Sequence, residues 1–184
     1  MTLRRLHRLN ALLLGLFLAL HLANHAALLA GQAAHSGVMA ALRPLYRNPL
    51  VEPLLIALFA AQIALGLTLA WRRGRPVGGW ALAQLASGLY LAFFLLQHLP
   101  AVLLARPATD TDIAFAAATV ESLPKALYFA PYYVLAVAAL ATHLAAALRF
   151  ARWPAPPGRL ARTLPWIGAA FGLVILAGLL GVFG

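Results

Sequence analysis

The sequence predicts an all-α integral membrane protein with five transmembrane helices. Of its 184 residues, 64% are hydrophobic and only 10% are charged, whereas soluble domains are typically about 45–50% apolar with about 25% charged residues. This composition excludes a soluble globular domain and an intrinsically disordered chain. The apolar residues form long runs rich in leucine and alanine. These runs lack the two-residue alternation of membrane β-strands, so we expect helices.

A helix that spans a bilayer needs about 20 mostly apolar residues. We expect one transmembrane domain with five spans, Leu9–Ala30, Leu50–Trp71, Trp80–Ala105, Ala126–Phe150 and Thr163–Phe183. The first run has a basic start and ends among small residues, as a signal peptide does. Its apolar stretch is too long and contains histidines, so we interpret it as a span.

Local signals mark several boundaries between elements. Asn48 and Pro49 have the pattern of a helix cap followed by a proline in the first turn. Pro124 marks the start of the fourth span in the same way. Thr111–Val120 is expected to form a short surface helix, and the proline-rich stretch Trp153–Gly158 an irregular, loose connection to the fifth span.

The basic residues lie mainly on one side of the predicted membrane. Most of the 14 lysines and arginines fall in the N-terminal segment and in the second and fourth connections. The positive-inside rule therefore places the N-terminus in the cytoplasm and the C-terminus outside. A net charge of +10 in a soluble protein would suggest nucleic acid. Because the arginines here flank apolar runs, lipid headgroups explain them better, and no nucleic-acid partner is expected.

The chain contains no cysteine. This excludes disulfides, zinc–thiolate sites, iron–sulfur clusters, thiol catalysis and covalent c-type haem attachment. The sequence shows no nucleophile–base pair and no phosphate-binding loop, so no catalytic residue is assigned and an independent enzyme is not expected.

Two pairs of segments suggest an internal repeat. Leu16–Leu22 aligns with Phe93–Leu99, which places His21 over His98 at an offset of 77 positions. Ala60–Ala64 aligns with Ala141–Ala145, which places Gln62 over His143 at an offset of 81 positions. The first two spans are therefore expected to repeat as the third and fourth with the same orientation, about an axis along the membrane normal.

Four of the 6 histidines lie inside predicted spans, namely His21, His25, His98 and His143. Ionisable residues in a span are costly and suggest function. The repeat predicts that His21 and His98 lie at equal depth in the outer half of a four-helix bundle made by the first four spans. His7 and His35 fall near the membrane ends and are expected to be ordinary interface residues.

Two imidazoles that face each other between helices suit haem b, because imidazole binds haem iron and the porphyrin can fill an apolar cavity between helices. We therefore predict His21 and His98 as the axial ligands. His25 is an alternative axial ligand or a neighbour of a propionate or a quinone. Asn24 is a candidate for orienting an imidazole through the ring's second nitrogen.

Arg43 and Arg47 are candidate partners for the haem propionates, with lipid headgroups and Glu52 as alternative partners.

The predicted function is that of an electron-carrying b-type cytochrome. Three alternatives stay open. The histidines can be structural contacts in a non-redox scaffold or lipid-handling protein, they can form a proton relay through His21, His25 and His143 in an ion or solute carrier, or three of them can bind zinc.

The residues resemble the membrane-anchor cytochrome b of succinate dehydrogenase and fumarate reductase. The segments that carry the resemblance are Gly15–His21, Phe93–His98, Tyr132–Tyr133 and Ala141–His143. The resemblance implies an anchor subunit with a redox partner and quinone, and one haem held by His21 and His98. Di-haem members use two histidines for each haem, but Gln62 stands where the inner haem would need one. This leaves His143 without its usual partner.

A second resemblance concerns His21–His25 followed by Arg43–Leu55. This pattern is similar to a fungal mitochondrial outer-membrane family that is linked to lipid homeostasis and suspected of haem binding, and to uncharacterised bacterial relatives. A compact chain rich in alanine, leucine and arginine is typical of a bacterial protein, so the expected location is the bacterial inner membrane.

Overall fold

The computed structural model describes residues 2–150 and 158–183. Within these residues the chain is helical and contains no strand. The helices are α1 (Leu3–Ala26), α2 (Gln32–Tyr46), α3 (Val51–Arg73), α4 (Gly79–Ala105), α5 (Ile113–Ala117), α6 (Leu123–Phe150) and α7 (Gly158–Leu179), with a 3-10 turn at Ala27–Ala30. The all-α prediction is confirmed.

Five of these helices are long and apolar enough to cross a membrane. They are α1 with its 3-10 turn, α3, α4, α6 and α7, and they correspond to the five predicted spans. The chain is therefore consistent with a multi-pass protein in a lipid bilayer.

The chain divides into two compact units, and each is described by itself. The first unit extends to Gly74 and contains α1, α2 and α3, whereas the second runs from Arg75 to Val182 and contains α4 to α7. The predicted single domain and the four-helix bundle of the first four spans stay predictions.

In the first unit, α1 packs antiparallel to α3, and the chain folds back between them through α2. Gly31 makes this reversal possible because its φ is 97°, which residues with a Cβ rarely adopt. The sequence pattern predicted only a connection between two spans here, but this stretch is a 15-residue helix. This helix packs against α1 and the 3-10 turn.

In the second unit, α6 packs against both α4 and α7. The contact with α7 is close because Gly168 and Gly172 lie one turn apart on the face that meets α6. A Cβ at Gly168 would lie 2.9 Å from the carbonyl oxygen of Val137, and one at Gly172 would lie 2.9 Å from Cα of Val134. The fifth span is thus held to α6 by small residues that let the two backbones approach.

The structure tests several predicted boundaries. The predicted cap at Asn48 is wrong by two residues, because α3 begins at Val51 after Leu50; Asn48 Oδ1 instead accepts from the backbone nitrogen of Leu50 at 2.9 Å in the turn before the helix. Pro124 is the second residue of α6. A short helix within the predicted range Thr111–Val120 is confirmed as α5, although it has only 5 residues and Ile113 is buried. Asp112 caps it by accepting from the nitrogen of Phe115 at 3.0 Å. Of the proline-rich stretch Trp153–Gly158, only Gly158 is among the described residues, and it begins α7.

Gly172→Leu should destabilise the second unit. The new side chain would meet the backbone of Val134, and overpacking of this kind costs about 1–3 kcal/mol. Thermal unfolding in detergent micelles measures the effect. Gly158→Ala on the same helix is the control, because a Cβ there meets nothing within 4 Å. Equal melting temperatures for the two variants would show that the α6–α7 contact is not the close one described here.

Candidate functional site

Near the arginine-rich end of the first unit, a polar cluster joins α1 to α3. The amide nitrogen of Asn10 donates to Oε1 of Gln62 at 2.7 Å and to the carbonyl oxygen of Leu58 at 2.8 Å. The amide nitrogen of Gln62 lies 3.3 Å from Nε2 of His7. Because Oε1 of Gln62 accepts from Asn10, its nitrogen is the donor to His7. His7 is therefore a polar contact between two helices.

The second unit has a similar cluster between α4 and α6. Nδ1 of His143 lies 3.2 Å from the carbonyl oxygen of Gln84 and 3.3 Å from Oγ of Ser87. The hydroxyl of Ser87 itself donates to the carbonyl oxygen of Ala83 at 2.6 Å. His143 is half-buried, so its ring is held between the helices by groups of α4.

A glycine of the facing helix makes room for each imidazole. A Cβ at Gly66 would lie 3.3 Å from Cε1 of His7, and a Cβ at Gly88 would lie 3.0 Å from Cε1 of His143. In both units this glycine comes four residues after the glutamine, one turn further along the same helix. Each imidazole therefore packs on bare backbone beside a glutamine.

The two clusters match position by position at the offsets of 77 and 81 that the sequence repeat uses. The corresponding residues are His7 with Gln84, Asn10 with Ser87, and Gln62 with His143. Imidazole and glutamine have thus exchanged helices between the units, while the small polar residue stays on the first helix of each pair. The sequence repeat predicted the match of Gln62 with His143, whereas the contacts of His7, Asn10, Gln84 and Ser87 are visible only in the structure.

Each unit has a further histidine on its first helix, about four turns or 20 Å beyond the cluster: His21 follows His7 along α1, and His98 follows Gln84 along α4. The ring of His21 stacks on Phe17 with centroids 5.6 Å apart and an interplanar angle of 13°. The ring of His98 stacks on Phe94 at 4.9 Å and 16°. The two predicted axial ligands, each within its own unit, thus have the same neighbour one helical turn before them.

Asn24, His25 and His35 form a cluster beside His21 in the first unit. His25 contacts His21 edge to face at 4.7 Å between centroids, and its centroid lies 5.5 Å from that of His35. Asn24 lies within hydrogen-bonding distance of Nε2 of His35, at 3.2 Å from its amide nitrogen. Asn24 therefore contacts the imidazole of His35 rather than the ring of a predicted ligand.

His35 is buried, with only 3% of its surface exposed, although the sequence analysis expected an ordinary interface residue. The difference arises because α2 folds back at Gly31 and packs His35 against α1. Arg43 lies in the last turn of α2, where its side chain donates to Sδ of Met39, and Arg47 follows as the residue that ends the helix.

Aromatic side chains of α6 surround the helix turn that carries His98. Tyr132 contacts Phe94 at 4.7 Å between centroids and donates its hydroxyl to the carbonyl oxygen of Phe94 at 3.2 Å. Tyr90 donates to the carbonyl oxygen of Tyr132 at 3.0 Å. The ring on which His98 stacks is therefore itself held by Tyr132.

No group of three or more histidine or acidic side chains comes together for a metal ion within residues 2–150 and 158–183. The three-histidine zinc alternative therefore has no support there. An iron held in a porphyrin is a different case, because the ring supplies four of its ligands and the protein supplies only the axial one or two.

No protein-family model, curated protein or solved structure matches this chain. The two family resemblances stay predictions.

The exchange of imidazole and glutamine between the units can be tested by substituting the two residues for each other in the first unit. His7→Gln or Gln62→His alone should lower the stability of the protein, since each breaks the His7–Gln62 contact. Side-chain hydrogen bonds between membrane helices average about 0.6 kcal/mol. The double variant His7→Gln/Gln62→His recreates the arrangement of the second unit and should recover most of the loss. A double-mutant cycle on melting temperature measures the coupling. Additive losses would contradict the described cluster.

Proposed function

We propose that the protein is a b-type cytochrome of the bacterial inner membrane that binds haem b through histidines of its spans and carries single electrons. It would act as a haem-binding or anchor subunit with a redox partner, and a quinone is its candidate diffusible partner. The haem, when bound, supplies the one-electron redox chemistry.

The observation that carries the proposal is the matched setting of His21 and His98. Each lies on the first helix of its unit and stacks on a phenylalanine four residues earlier. An axial ligand must hold its ring in one orientation to bind iron well, and a stacked aromatic ring restricts that rotation. The residues present therefore fit a haem ligand in chemistry and in ring restraint.

The neighbouring residues have distinct proposed roles. His25 lies one turn from His21 and contacts its ring, so it is the alternative axial ligand or a contact for a propionate or quinone. Arg43 and Arg47 supply positive charge for the propionates. Asn24 orients the cluster through His35. His143 is the candidate ligand of a second haem.

The second candidate function is a non-redox scaffold or lipid-handling protein with structural histidines. The contact of His7 with Gln62 favours it, since this imidazole accepts a hydrogen bond from the facing helix as a structural residue would. The two candidates differ in what they predict for His21 and His98. If His21 and His98 are structural, replacing them should lower the stability of the protein. If they are axial ligands, replacing them should remove the absorbance of the haem.

The cytochrome proposal predicts haem in the protein purified from haem-replete bacteria. The dithionite-reduced minus oxidised spectrum should show a b-type haem, and His21→Ala and His98→Ala should each remove the haem that these two histidines are proposed to hold. His7→Gln is the matched control and should retain it, because glutamine already occupies the corresponding position at Gln84. A folded, colourless wild-type protein would refute the proposal and favour the scaffold.

The proposed orientation places the N-terminus in the cytoplasm and the C-terminus outside. The chain has no cysteine, so single cysteines report sidedness without background. Val77→Cys, in the arginine-rich connection and 90% exposed, should react with a membrane-impermeant maleimide only after spheroplasts are opened. Thr109→Cys, in the connection between α4 and α5, should react in intact spheroplasts. The reverse pattern would invert the topology.

A further inference from the structure

The hydrogen bonds of His143 determine which of its ring nitrogens carries the proton. The carbonyl oxygen of Gln84, 3.2 Å from Nδ1, can only accept. Oγ of Ser87, 3.3 Å from Nδ1, has its single proton committed to the carbonyl oxygen of Ala83 at 2.6 Å, so it too can only accept. Nδ1 must therefore be the donor. Because a charged imidazolium is costly inside a span, the ring is neutral and Nε2 carries the lone pair.

Nε2 of His143 makes no hydrogen bond to any residue that the structure describes. The ring cannot turn easily to change this, because its Cε1 edge lies against Gly88, where a Cβ would come within 3.0 Å. One nitrogen is thus tethered to α4, and the opposite nitrogen is left with an available lone pair.

The first unit provides an internal contrast. There the glutamine meets the imidazole with its side chain rather than with its backbone, and the amide of Gln62 donates to Nε2 of His7. The lone pair of His7 is therefore already used. A histidine, a glutamine, a small polar residue and a glycine thus leave Nε2 of the imidazole occupied in the first unit and available in the second.

We propose that the carbonyl oxygen of Gln84, Ser87 and Gly88 form a positioning cradle that presents Nε2 of His143 as a ligand for haem iron, whereas His7 is structural. In a metal-binding histidine, the ring nitrogen that does not bind the metal usually donates to a partner such as a backbone carbonyl. This hydrogen bond fixes the tautomer and the ring orientation. The ligand role in this proposal rests on the proposed cytochrome function, but the cradle itself does not.

The tautomer can be measured without haem. Solid-state NMR of the haem-free protein in lipid bilayers, labelled with ¹⁵N-histidine and assigned with His143→Gln, should show the His143 ring protonated at Nδ1 and unprotonated at Nε2. Ser87→Ala should keep this tautomer through the Gln84 carbonyl, whereas Gly88→Ala should displace the ring and alter its signals. A proton on Nε2 of His143 in the wild type would overturn the cradle.

The ligand role is measured by haemin titration of the purified wild type and variants. His143→Gln should lower the haem-to-protein ratio, and Gly88→Ala should weaken that part of the binding by about 10- to 100-fold, the usual effect of disturbing a ligand's support. Two control variants, Gly15→Ala and Gly66→Ala, should bind haem as the wild type does. A Cβ added at Gly15 would have nothing within 4 Å, and one added at Gly66 would crowd only His7.

The outcomes separate the two proposals. Wild-type protein that binds haem with a ratio unchanged in His143→Gln would overturn the ligand role of His143 and leave the cytochrome proposal intact. Wild-type protein that binds no haem would overturn the cytochrome proposal and the ligand role together. The cradle would then be tested only by the tautomer of His143 in the NMR measurement.

Discussion

The rest of the structure depends on one constraint, which is that the imidazole rings between apolar helices must find hydrogen-bond partners. Inside a bilayer no water replaces a missing hydrogen bond, so each polar group must find its partner within the protein. His7 meets the side chain of Gln62, which Asn10 holds in place, and His143 meets Ser87 and the carbonyl oxygen of Gln84. In each unit a facing glycine supplies the space, and these contacts join one turn of each helix to a turn of its neighbour.

The same arrangement produces different chemistry in the two units. Where the glutamine side chain reaches the imidazole, as at His7, the ring becomes a structural contact. Where the backbone carbonyl does so, as at His143, one ring nitrogen stays available. The count of histidines in the spans therefore does not by itself give the number of ligands. The hydrogen-bonding partner of each ring decides which of its nitrogens is left available.

The sequence predicted the spans, the start of α6 at Pro124 and the short helix α5 because composition and local capping signals determine these features. It did not predict α2 or the burial of His35, since both depend on the chain reversal at Gly31. The close α6–α7 contact was also missed, although the four-residue spacing of Gly168 and Gly172 was a visible signal. The exchange of His7 for Gln84 was hidden because the residue types differ at the aligned positions.

The proposed function makes His21 and His98 axial ligands of haem b. Electron paramagnetic resonance of the oxidised protein, with enough haem for one site, tests this most directly because the signal reports the ligands of the iron itself. The account predicts a low-spin ferric spectrum of the bis-imidazole type that is lost in His98→Ala. A high-spin spectrum in the wild type, or a low-spin spectrum that survives that substitution, would contradict it.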